Sequence, residues 1–107
     1  MSIWSNLKVI DDCISQIETD FMPLHDVFRS LYGSNFRVPD QTQLNDTFEL
    51  ISFLLLNKSV ITVFGPEMKP SGNTCEIDLK IIKETINSKP YEEYNYGIWF
   101  DFEENWK

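Results

Sequence analysis

The chain has 107 residues, 17 acidic and 9 basic side chains, a net charge of −8, and hydrophobic and charged fractions of 42% and 24%. That balance suits one compact domain over residues 1–107 and excludes a disordered chain. It also argues against direct nucleic-acid binding, because an acidic surface repels phosphate backbones.

The first five residues carry no basic group, and Asp11 and Asp12 interrupt any leader-like apolar stretch, so no export signal is expected. The longest apolar run, 51–56, is broken by Ser52 and falls far short of the ~20 residues of a membrane helix. The expected location is the cytoplasm, with no membrane partner and with Cys13 and Cys75 as reduced, partly buried thiols.

Apolar residues at Leu7, Ile10, Ile14, Ile17, Phe21, Leu24, Phe28 and Leu31 step by three and four, one face of an α-helix. Ser5 is a suitable N-cap. Pro23 lacks an N–H and crowds the preceding turn, so the spacing predicts either a kinked helix or two helices meeting near 20–22, the second ended by Gly33. Residues 34–41 read as a loop. Asp40 or Thr42 then caps a helix to about Leu56. Its apolar set, Leu44, Phe48, Ile51, Leu54 and Leu55, is widened by Leu50, Phe53 and Leu56, which predicts a central position.

Residues 59–64 are rich in β-branched side chains and read as a strand stopped by Gly65-Pro66. Residues 67–73 read as a loop. Asn73 with Glu76 suggests the cap of a helix over 74–87, with Cys75, Leu79, Ile82 and Ile86 buried, Ile77 and Ile81 widening that face, and Lys89-Pro90 ending it. From Tyr94 to Phe102 every second residue is apolar or aromatic, which predicts a strand over 94–102 pairing with 59–64. The fold class expected is α+β: N-terminal helices followed by a small β-sheet with one helix between its strands.

Catalytic constellations are missing. The chain has one histidine, His25, beside Asp26 on a predicted helix and without a matched nucleophile. Cys13 and Cys75 form no CxxC pair, and the glycines at 33, 65, 72 and 97 form no phosphate-cradling loop. The carboxylate pairs Asp11-Asp12, Glu92-Glu93 and Glu103-Glu104 are adjacent residues suited to solvent, whereas acid–base catalysis needs a desolvated member. No catalytic residue, cofactor or metal ligand is expected.

A charged aromatic surface is what remains. Residues 1–49 carry a net −5, residues 50–90 a net +1, and residues 91–107 a net −4. In the last segment carboxylates alternate with rings, a mixture suited to a basic protein partner. The candidate partner contacts are Glu92, Glu93, Tyr94, Tyr96, Asp101, Glu103, Glu104 and Trp106. Asp11, Asp12, Asp40 and Asp46 form an alternative patch. Acidity also serves solubility alone, and Tyr94, Tyr96, Ile98, Phe100 and Phe102 are mostly expected in the core. Trp99 lies off that face, where it would cover a helix on the other side of the sheet or join the surface.

From Phe53 to Phe102 the chain runs as a central helix ending in Leu54-Leu55-Leu56-Asn57-Lys58, a short strand, a loop, a helix closed by proline, and an aromatic strand with Gly97-Ile98-Trp99-Phe100. This layout, covering about half the chain, resembles the small acidic immunity proteins of bacterial contact-dependent growth inhibition. The resemblance rests on a layout without an invariant motif, so it assigns no individual residue. It implies a cytoplasmic, stoichiometric inhibitor, a monomer in a 1:1 complex with the C-terminal domain of a cognate toxin, of which many are basic nucleases. An acidic regulatory or adaptor module, or a nucleic-acid mimic that binds a cellular protein, remains the alternative.

Overall fold

The computed structural model describes residues 7–33 and 38–106. Ser5 and the 34–37 part of the first loop lie outside them. The fold is α+β, with five α-helices and a four-stranded antiparallel sheet among the described residues. In chain order the elements are α1 (Leu7–Thr19), β1 (Met22–Pro23), α2 (Leu24–Tyr32), α3 (Gln41–Asn57), β2 (Val60–Phe64), β3 (Lys69–Pro70), α4 (Cys75–Ser88), α5 (Tyr91–Asn95) and β4 (Ile98–Phe102), followed by a 3-10 helix (Glu103–Trp106).

The amphipathic stripe of residues 7–31 resolves into two helices broken at Pro23. The proline has extended φ/ψ of −72° and 157° and stands immediately before α2. The intervening Met22–Pro23 does more than turn: it pairs with Phe100 and Trp99 of β4. A strand therefore enters among the N-terminal helices, where none is expected from sequence. Gly33 ends α2 at φ 91°, a conformation that favours glycine, with its N–H bonded to the Arg29 carbonyl. α3 opens on a reciprocal capping box: Asp40 accepts from the Gln43 N–H at 2.9 Å, and Gln43 Oε1 accepts from the Asp40 N–H at 3.0 Å. Leu50, Ile51 and Leu54 are fully buried, but Leu56 is 68% exposed, so the helix is not apolar all round.

Besides β3, which pairs with β2 inside the expected 67–73 loop, three sequence expectations shift in the second half. The cap of α4 is Thr74, which accepts from the Ile77 N–H, while the Asn73 amide reaches Asp78 instead. Ile77, expected to widen the buried face of α4, is 47% exposed, whereas Asp78 is buried and accepts from Ser71 Oγ at 2.8 Å. The third concerns the strand predicted over 94–102, which begins only at Ile98. Residues 91–95 form α5, because Pro90 both ends the preceding run and, in an extended conformation (φ −62°, ψ 153°), starts a new helix. Glu92 and Glu93 in its first turn complement the positive end of the helix dipole. Two helices, α4 and α5, thus lie between β3 and β4 in the chain.

The sheet order is β1-β4-β2-β3. The β2–β4 register pairs Val60 with Phe102, Thr62 with Phe100, and Phe64 with Ile98. Because side chains alternate across a pleated strand, these residues share one face. Val60, Ile98 and Phe100 join a hydrophobic cluster with Cys13, Ile17, Phe28, Leu50, Ile82 and others, and Phe64 and Phe102 pack against it. The helices therefore cover this face.

Candidate functional site

The opposite face of the sheet is different. Register places Pro23, Trp99, Val63 and Pro70 in one row across all four strands, with Ile61 and Asp101 paired beside it. Val63, Ile61 and Trp99 all lie outside the helical hydrophobic cluster and the side chains packed on it. Val63 is nonetheless buried, and Ile61 and Trp99 are half-buried. The Trp99 indole is tied to the turn before its own strand, Nε1 donating to the Tyr96 carbonyl at 2.9 Å. Phe21 meets Trp99 edge-on at 5.1 Å, and Tyr96 lies 6.4 Å from it. With Phe21 36%, Tyr96 56% and Trp106 37% exposed, these rings make a partly open aromatic face.

The sheet edges are less inviting than this face. Each edge strand is two residues long and contains a proline, Pro23 or Pro70. Proline cannot donate to an added strand, and short edges offer little template, so the edges are blunted against strand addition.

The candidate contacts divide between surface and interior. Glu92 and Glu93 are exposed on α5, ahead of β4, and Glu103 and Glu104 are exposed on the 3-10 helix beyond it. The residues of β4 span about 14 Å at strand rise, so one charged sequence segment becomes two acidic ends. Tyr96 and Trp106 are open to solvent, whereas Tyr94 and Asp101 are each only 5% exposed. Burial pushes the Tyr94 phenol up to about 12, helped by nearby Tyr91 and Glu92, so it stays neutral. Asp101 is engaged inside the protein: Oδ1 accepts from the Phe102 N–H and from Asn105 Nδ2, both at 2.8 Å, and Oδ2 accepts from the Trp106 indole at 2.7 Å.

Folding recruits one carboxylate that sequence order hides. Glu18, at the end of α1, lines a cleft of about 550 Å³ with Glu103, Glu104, Phe102 and Lys58. No periodic or motif signal links Glu18 to residues 103–104; only the packing of α1 beside β4 does. In the alternative patch, Asp11 and Asp12 are exposed on α1, and Asp40 is occupied as the cap of α3.

The groups with catalytic potential lie apart from this arrangement or serve packing. His25 packs its ring 5.6 Å from Tyr96. Cys13 is fully buried, and desolvation, with Asp12 adding to it, raises its thiol to about 11 despite a hydrogen bond with Ser30. Cys75 is half-buried and likewise raised, first by desolvation and then by Asp78 and Glu76. Among the described residues, no three His, Cys, Asp or Glu side chains gather as a metal-binding group, and no helix is long and apolar enough to cross a membrane. Comparison with known proteins finds no matching family model, no similar curated protein and no similar solved structure.

Proposed function

We propose that this is a stoichiometric binding protein that captures a basic protein on the partly open aromatic face around Trp99, in the manner of a cytoplasmic immunity protein that neutralises a toxin domain. The observation that carries the reading is the aromatic face around Trp99, with the exposed Glu92 and Glu93 ahead of β4 and the exposed Glu103 and Glu104 beyond it. Exposed rings supply contact area at low entropic cost, and flanking carboxylates steer a positively charged partner and set its orientation. The partner class follows from charge and from the layout's resemblance to immunity proteins; a nuclease whose cleft is built for phosphate has the complementary sign. The reaction chemistry belongs to the partner, and this chain acts by occupancy alone.

The test is co-expression with a candidate toxin domain taken from a gene adjacent to this one. Restored growth together with a co-purifying 1:1 complex supports the reading. Unrelieved toxicity with no complex defeats it.

A further inference from the structure

A cavity of about 380 Å³ opens at the end of the sheet where β4 begins. Phe64 and Ile98 line it from the strands, Tyr94 and Tyr96 from α5 and the following turn, and Lys89 and Glu93 from either side of Pro90. Tyr96 joins this cavity to the aromatic face, since the same ring lies 6.4 Å from Trp99; it also lies tilted at 32° against His25. Among the described residues, neither Lys89 nor Glu93 takes part in an ion pair, the pairs being Arg29–Asp26 and Lys69–Glu67. The space holds one long side chain; a helix, about 10 Å across even before its length is counted, does not fit.

We infer that this cavity is the anchor pocket for an arginine side chain of the basic partner, an inference that rests on the reading of the open face as a binding surface. Every part of an arginine finds its counterpart here. The methylene stem lies on Phe64, which is half-buried at the cavity wall. The guanidinium plane stacks on Tyr96, and its paired N–H groups meet the Glu93 carboxylate, a geometry that lysine's point charge does not reproduce. Glu92, exposed beside Glu93, adds to the local negative potential. Lys89 opposes the same cation and swings into solvent on binding, which costs little for an exposed, flexible side chain.

Lys89 makes the inference discriminating, because its effect has opposite sign for a cationic and an anionic occupant. The probe is N-acetyl-L-arginine amide, titrated into the full chain and followed by amide chemical shifts, with N-acetyl-L-norleucine amide as the uncharged comparison. Saturable shifts should centre on Thr85, Glu93 and Gly97. Glu93→Gln should weaken binding about tenfold, and Lys89→Ala should tighten it about twofold. Absence of saturable shifts up to the solubility of the probe, equal binding of the norleucine amide, or weaker binding in Lys89→Ala each overturns the pocket. The two readings fail separately: a partner complex that forms unchanged with Glu93→Gln sinks only the pocket, while a pocket that takes the arginine probe without any basic protein being captured sinks only the reading of the face.

Discussion

The indole Nε1 of Trp106 donates to Oδ2 of Asp101 across 2.7 Å, folding the C-terminal 3-10 helix back over the open face of β4. The same carboxylate holds the Phe102 N–H and the Asn105 amide. A residue that reads from sequence as a surface contact is therefore a clamp. Asp101→Ala should cost about 2–3 kcal/mol, because it removes three hydrogen bonds to one charged acceptor. Glu103→Ala and Glu104→Ala, both exposed, should stay within about 0.5 kcal/mol. Denaturant unfolding of the three variants checks this, and near-neutral Asp101→Ala would mean that the clamp contributes nothing to stability.

Phe100 and Tyr96 separate core from surface within one aromatic run. Phe100 is fully buried in the helix-covered face, so Phe100→Ala should lose about 3–5 kcal/mol. Tyr96 is 56% exposed, and Tyr96→Ala should leave folding nearly intact while weakening partner binding. Equal destabilisation by both would contradict the assignment of faces.

Alkaline stability should report Cys13. Its thiol is raised from 9.0 to about 11, chiefly by desolvation. Between these values the unfolded chain has already released a proton that the folded chain retains, so stability falls with rising pH. The contribution is fully present below about pH 9 and lost as pH rises through about 11; two units correspond to roughly 2–3 kcal/mol. Cys13→Ala should be less stable at neutral pH from its cavity, yet show a shallower decline over that window. An unchanged slope would remove Cys13 as the cause. A folded Cys13→Ala variant should also keep partner binding, since Cys13 is buried in the helical core, and a folded His25→Ala variant should weaken binding without abolishing it, since His25 only supports Tyr96.

What was legible in sequence depended on how many residues carried each signal. α1, α3 and α4 each span several turns, and their three- and four-residue spacing located them within a residue or two. β2 and the last five residues of the predicted C-terminal strand were legible from β-branched content and alternation. The five residues of α5 are too few to establish a helical period, and Tyr94 and Tyr96 happen to extend the alternation of β4 backwards across it. In sequence Pro90 signals a stop, although its fixed φ also suits the start of a helix. β1 and β3, two residues each, hold no period at all and exist because long-range pairing to β4 and β2 selects them. For the site, the charge of 91–107 was visible, but its division between two ends of a strand, the internal use of Asp101 and the arrival of Glu18 are consequences of packing.

The division into two acidic ends yields the test of the binding face as a whole. The ends are separated by about 14 Å of strand, more than the Debye length of ~8 Å at physiological salt. Reversing Glu92 and Glu93 to lysine, and separately Glu103 and Glu104, should therefore give nearly independent effects that add in the quadruple variant. Each pair should slow association with the basic partner and flatten its salt dependence, since steering acts through the encounter rate. Dissociation should respond more to the Glu92 and Glu93 reversal, because Glu93 also lines the cavity beside Tyr96. Single neutral substitutions at Glu103 or Glu104 should change affinity by about 1 kcal/mol or less, the usual worth of an exposed pair. Stopped-flow association at several salt concentrations measures all of this. If the quadruple reversal associates as fast as the wild type, with the same salt slope, the partner does not dock between these ends, and the aromatic face around Trp99 loses its proposed role.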